Sequence, residues 1–273
     1  MQLEAQKKQY YYLLLFLVVI ALFWNLDITP LIGDEPTRTI VAQELVYNNN
    51  LFVPTINNEY YYNKPPIYNW LIIALYKVFG SKDEIVSRLP AVFSIFLFMG
   101  TLLLWCKKYM KMEMAILVTF IFVTSSRLFF YDSMLGLIDL LFSWLIFLTF
   151  ILTYELEKQK RYTLLFTSTY FIIAICFLMK GMQAIAFQGM TLLAWFIYRK
   201  KFKQLFRLPH FAGLGVFIII ITAYLWVYNQ HHDITILLKT LWTESSKRTV
   251  GIKPWYDDVA HIILFPVKNI LAD

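Results

Sequence analysis

The sequence predicts an all-α, multi-pass membrane protein: a bundle of about seven spans with further helices lying along one membrane face. Three observations predict it. Of 273 residues, 59% are hydrophobic, 18% aromatic and only 16% charged, and the mean hydropathy is +0.57. Soluble domains run at roughly 45–50% apolar and ~25% charged. Several windows approach the ~20 consecutive apolar residues that cross a hydrocarbon core. Finally, Lys and Arg crowd every second connection between those windows.

The candidate spans are 10–26, 89–106, 113–131, 135–154, 162–179, 182–198 and 210–229. The first follows Lys7 and Lys8 and is not trailed by a small-residue cleavage site, so it reads as a retained helix rather than a removed signal. Lys107, Lys108 and Lys111 join the second and third spans. Lys158, Lys160 and Arg161 join the fourth and fifth. Arg199, Lys200, Lys201, Lys203 and Arg207 join the sixth and seventh. Basic connections stay in the cytoplasm, so this alternation places the N-terminus inside. It puts residues 27–88, a first extracytoplasmic loop, on the outer face. The turns holding Arg127, Asp132, Asp139 and Lys180 lie there too, as does a C-terminal segment, 230–273. The net charge of +7 is then topological. There is no zinc-finger spacing, basic helix or glycine-rich phosphate loop, which argues against a nucleic-acid partner. Cys106 and Cys176 both lie in apolar runs and read as buried thiols, not metal ligands.

The long outer loop has order of its own. "EPTRTIVAQELVYN", 35–48, sets Ile40, Val41, Leu45 and Tyr47 on one helical face, with Arg38, Gln43 and Glu44 elsewhere. Pro36 suits a first turn, and Asp34 is placed to cap it. "NKPPIYNWLIIALYKVFG", 63–80, opens with two prolines and continues as an amphipathic helix. Tyr60, Tyr61, Tyr62, Tyr68 and Trp70 suit an interfacial aromatic belt.

Ionisable side chains beside a membrane core each need a reason. Asp34–Glu35 reads either as a helix-start device or as a carboxylate pair with one general base. Asp139, between "MLGLI" and "LLFSWLIFL", must find a cation, a metal or water. Arg127 and Lys180 are its candidate ion-pair partners. Lys64 and Lys180 are outer lysines in apolar surroundings. They read as snorkelling anchors or, with Arg38 or Arg88, as a pocket for an anionic phosphate. A divalent ion on Asp34 and Asp139 stays open; no other cofactor is implied. His231–His232–Asp233 reads as a solvated interfacial turn.

The run "GDEPTRTIVAQELVYNNNLFVPTINNEYYYNKPPIYNWLIIALYKVFGSKDEIVSRLPAVFSIF", 33–96, resembles the first outer loop of GT-C type membrane glycosyltransferases. Nearest are the aminoarabinose lipid A transferases and the protein mannosyltransferases. The matching motifs are Asp34–Glu35, "LFVPTINNEYYYNKPP", Phe79–Gly80 and Arg88–Pro90. "LGLIDLLFSWLIF" and "FLMKGMQAI" resemble two further family motifs more loosely, with Met179 and Met182 replacing Thr and Pro around Lys180–Gly181. The resemblance implies a GT-C type transmembrane helix bundle over 1–273. It also implies transfer of a sugar from a polyprenyl-phosphate donor to a lipid A, protein or other envelope acceptor. That transfer would take place on the outer face of a bacterial inner membrane, among membrane lipids. By the same resemblance, Asp34, Glu35 and Asp139 are catalytic candidates; Arg38, Lys64, Arg88 and Lys180 hold the donor phosphate; Glu244 and Arg248 are second-line. Relatives are expected to carry further spans and a soluble C-terminal domain, and residues 1–273 are expected to lack that domain. A non-catalytic carrier or flipping protein for the same lipid, or a partner subunit, are the alternative functions.

Overall fold

The structure is a computed structural model. It describes the backbone of residues 2–27 and 29–249, and their side chains except at 2–9, 11, 12, 25 and 245–249. Ten α-helices follow in order among the described residues: α1 Gln2–Trp24, α2 Glu35–Tyr47, α3 Ile67–Phe79, α4 Glu84–Cys106, α5 Met112–Val123, α6 Ile138–Lys158, α7 Tyr162–Lys180, α8 Gln183–Tyr198, α9 Leu208–His231 and α10 Ile234–Thr249.

Four of them, α4, α6, α7 and α9, are long and apolar enough to cross a membrane. The apolar part of α1, Leu13–Trp24, and helices α3, α5 and α8 are apolar but shorter. The expectation of seven full spans is therefore corrected in length. The third window, 113–131, changes most: α5 stops at Val123, at 12 residues about 18 Å long against a ~30 Å core. Thr124 and Ser125 follow, donating to the Phe120 and Phe122 carbonyls, both at 2.8 Å; the same bond from Thr119 to Ala115 leaves α5 intact. A π-turn, Leu128–Asp132, then leads towards α6.

Helix α7 is the centre of the bundle, packed against α6, α8 and α9, while α4 bridges α6 to α5 and α3. Of the most apolar stretch, 56% is buried inside the protein in α7 but only 22% in α9. Ile218, Ile219 and Trp226 of α9 point outwards, as fits a lipid-facing surface. The α7–α9 seam is close because of Gly213: a Cβ there would lie 2.7 Å from the Phe166 carbonyl carbon and oxygen. In lipid, where apolar burial alone does not hold helices together, small residues let backbones approach in this way.

The loop between α1 and α4 builds the cap that carries the site. Helix α2 packs on α3, and α3 on α4 and α7. The buried face of α2 is Glu35, Arg38, Thr39, Val41, Ala42 and Leu45. Arg38 thus lies inside it, whereas Tyr47, expected on the apolar face, is 83% exposed. A hairpin that the sequence reading lacked, β1 Thr55–Ile56 with antiparallel β2 Glu59–Tyr60, turns on Asn57 and Asn58, both at positive φ. Asparagine tolerates that conformation, and such two-residue turns match strand twist. Gly80, also at positive φ, closes α3. Cys106 and Cys176 are free and buried.

Candidate active site at one end of the bundle

α4 and α6 begin, and α7 ends, at the same end of the bundle, under α2 and α3. There Glu35, 1% exposed, points inwards. Arg88 donates to it twice, Nε to Oε1 at 2.9 Å and Nη2 to Oε2 at 3.1 Å. The Gly136 N–H donates at 2.5 Å and that of Ile32 at 3.0 Å. Burial by itself would raise the Glu35 carboxyl, but these hydrogen bonds hold it below the ordinary carboxylate value. Arg88, fully buried, spends its remaining N–H groups on the carbonyls of Leu26, Thr29 and Pro30 at 2.6–3.0 Å. All five donors are taken. Arg88 therefore has nothing to offer a phosphate, contrary to the sequence expectation. The Glu35–Arg88 pair ties α2, α4, the α1–α2 segment and the start of α6 into one unit.

Arg38 is the opposite case. It is 2% exposed, and its Nη2 donates to the Tyr61 hydroxyl at 2.7 Å, with the guanidinium 5.4 Å from the Tyr61 ring centre. Its Nε and Nη1 have no partner among the described residues. Unsatisfied buried donors cost about 1–3 kcal/mol each, more when charged. Buried donors without a partner are rare in folded proteins.

Asp34 does not cap α2 with its side chain. It pairs with Lys64 at 3.2 Å; the lysine side chain is 12% exposed and the aspartate 66%. Burial lowers the Lys64 pKa, and the nearby Arg38 and Lys180 charges add to this against the opposing effect of Asp34. Asp139, in the first turn of α6, pairs with Lys180. Arg127, its other candidate partner, bonds Asp132 instead. Gly181, at φ 82 and ψ −148, takes a backbone conformation suited to glycine and ends α7 with Lys180 at the bundle edge. Lys64, Lys180, Gly181 and Glu244 line one small cleft.

The structure thus brings Asp34 to Lys64, Asp139 to Lys180, and Lys64, Lys180 and Glu244 to one cleft with Arg38 near Lys64, while Glu35 is bound to Arg88. The side chain of Arg248 lies outside the described residues, as does the segment 250–273. Among the described residues no three His, Cys, Asp or Glu side chains cluster to hold a metal, and the proposed metal carboxylates each face a lysine. Sequence reasoning missed the residues that orient the cluster. Tyr68, fully buried, donates to the Gly136 and Leu137 carbonyls, and burial pushes its phenol well up. Asn69 donates to the Arg38 carbonyl at 2.9 Å. Tyr62 bonds His232 at 2.8 Å and Tyr60 stacks on it at 3.8 Å, so the expected solvated turn at 231–233 is a joint between the loop and α9. The run "YYYNKPPIYN" is the available signal, and its tyrosines fit an interfacial belt equally well.

A helical membrane bundle with a cap of short helices over a charged end is the architecture of the GT-C type. The chain belongs to the dolichyl-phosphate-mannose-protein mannosyltransferase family, whose model matches residues 63–226, more than half of its length. It is similar in fold to crystal structures of ArnT from Cupriavidus metallidurans. For the apo state the TM-score is 0.72 at 17% identity, over 84% of this chain and 43% of that one. For the form bound to undecaprenyl phosphate it is 0.71 at 16% identity, over 82% and 42%. An uncharacterized protein of Aquifex aeolicus (strain VF5) is 24% identical over 243 residues, 88% of this chain and 48% of the relative. The chain spans about half the length of the relatives it matches.

Proposed function

We propose that the protein is a membrane glycosyltransferase, or the part of one that bears the reaction centre, and that it moves a sugar from a polyprenyl-phosphate donor to an acceptor oxygen. The observation that carries this reading is the convergence of Arg38, with two unpartnered buried nitrogens, on Lys64 and Lys180. Three cations in a half-dry pocket, beside an accessible carboxylate, suit a phosphate ester whose sugar is to be displaced. The family match and the undecaprenyl phosphate bound in the ArnT structure support the choice of ligand.

In this reading the donor phosphate lies between Arg38, Lys64 and Lys180. The acceptor oxygen attacks the anomeric carbon, and the carbon–oxygen bond to phosphate breaks. The electron pair leaves with the phosphate, where the three cations stabilise the growing charge. The acceptor proton passes to Asp34, whose carboxylate is the exposed partner of its ion pair. Asp139 holds Lys180 in place, and Glu35 with Arg88 fixes the scaffold. Attack opposite the leaving phosphate inverts the sugar. In this reading the site lies on the extracytoplasmic face, which the basic connections at the other end support, of a bacterial inner membrane by the family resemblance. There a lipid A, protein or other envelope acceptor would be met.

The test is transfer itself. Purified protein in proteoliposomes, given radiolabelled polyprenyl-phosphate sugars and an envelope extract, is expected to release polyprenyl phosphate and label an acceptor. Tight donor binding with no turnover for any acceptor would favour the non-catalytic carrier instead.

The lowered Lys64 pKa gives a pH prediction. The folded protein releases this proton more readily than the unfolded chain. Without an anion, stability therefore rises with pH below the usual lysine value of 10.5. Phosphate binding needs the charged form, so affinity for polyprenyl phosphate should fall as pH rises through the alkaline range, earlier than an ordinary lysine would dictate. Lys64→Arg should flatten that fall. Superimposable pH profiles for the two proteins would contradict a phosphate contact at Lys64.

A further inference from the structure

At the end opposite the charged site, helices α4, α6 and α8 leave a cavity of about 950 Å³. Its walls are aromatic and aliphatic, among them Trp105, Phe147, Phe150, Met190 and Ala194. Along α8 it runs from Phe187 to Tyr198, a rise of roughly 16 Å, about half the ~30 Å hydrocarbon core. It is thus one leaflet deep.

One feature distinguishes it from an ordinary gap between helices. Its mouth holds more cations than carboxylates: Lys108, Lys158, Arg199 and Lys201 surround Glu155 and Glu157, which bond Lys108, Arg199 and Lys201. Five residues beyond Thr153, the Lys158 Nζ sits 5.4 Å over the Tyr109 ring; four residues beyond Trp195, the Arg199 guanidinium sits 5.8 Å over the Trp195 ring. Both rings line the cavity. The Lys108 Nζ lies 3.6 Å from Glu155. An apolar slot followed by an excess of cations matches an anionic lipid read from tail to head. Cations at this depth meet lipid phosphates directly.

We propose that this cavity binds one anionic glycerophospholipid of the leaflet on the basic side. An acyl chain fills the slot, and the headgroup phosphate rests beside Lys158, with Arg199 shared between it and Glu157. The site is separate from the reaction centre and does not depend on the proposed chemistry.

Native mass spectrometry of the delipidated protein, titrated with phosphatidylglycerol, phosphatidylcholine or polyprenyl phosphate, tests this. One phosphatidylglycerol should be retained at least about fivefold better than phosphatidylcholine. Ala194→Trp, which fills the slot from an exposed position, should reduce that retention by a similar factor. Lys158→Glu, on an exposed side chain that leaves the core untouched, should erase the preference for the anionic lipid even if Ala194→Trp misfolds. Equal retention of the two glycerophospholipids with no effect of Lys158→Glu would overturn the proposal. So would polyprenyl phosphate displacing phosphatidylglycerol from the wild type, or a second polypeptide or second copy occupying the face with no lipid retained.

Discussion

Asp34→Asn should abolish sugar transfer, lowering turnover by roughly 10²–10⁴-fold, the usual contribution of a positioned general base. The change keeps the size of the side chain and a hydrogen-bond acceptor for Lys64, so the 3.2 Å contact need not open. It removes the charge and the proton acceptor. Helix α2 does not rely on Asp34 for a side-chain cap, so expression and thermal stability should remain near those of the wild type. Donor binding should also survive, because the phosphate ligands are cations and the lost group is an anion. Turnover within twofold of the wild type would remove Asp34 from the reaction and leave it as a positioning partner of Lys64.

Arg88→Ala should be the most destabilising single substitution in the charged layer, at about 3–5 kcal/mol, the range for breaking one side of a buried ion pair. It strips Glu35 of both guanidinium bonds and leaves the Leu26, Thr29 and Pro30 carbonyls without their donor. The Glu35 carboxyl is held low only by its hydrogen bonds against the opposing effect of burial. Without Arg88 it must take up a proton or bury a bare charge. Because the folded pKa is depressed, the stability this pair confers is present above the unfolded glutamate value and is lost as pH falls through the folded one. Thermal unfolding in detergent reads this directly: a large drop for Arg88→Ala, and partial recovery when Glu35→Leu is added to Arg88→Met. An unchanged melting temperature for Arg88→Ala would contradict the role given to the pair.

Arg38 and Arg88 show where the sequence stops being informative. Both lie in polar-looking helix starts on the same outer segment, and both read as phosphate ligands. Burial and partners separate them, and these depend on contacts 53 to 62 residues away in the chain. The pairing of Asp34 with Lys64 and of Asp139 with Lys180 spans 30 and 41 residues. Local spacing carries no trace of it, although the need of each carboxylate for a cation was evident from its apolar surroundings. The helical order was legible because it follows from hydropathy and from the alternation of basic connections. The end of helix α5 at Val123 was not, because it falls within a still apolar run. Tyr68 was misplaced because an amphipathic ring fits an interface and a buried hydrogen bond equally well until its neighbours are known.

The most direct test of the site is Arg38→Met, read by two measurements on the same sample: polyprenyl phosphate affinity and thermal stability without ligand. Two unpartnered nitrogens in a buried guanidinium destabilise the empty protein, and methionine removes them while keeping the apolar stem. A binding residue of this kind trades stability for function. The expected result is a loss of affinity of at least about tenfold together with a melting temperature equal to or above that of the wild type. Unchanged affinity, or a protein that unfolds without Arg38, would make this arginine part of the scaffold and leave the proposed donor pocket without its anchor.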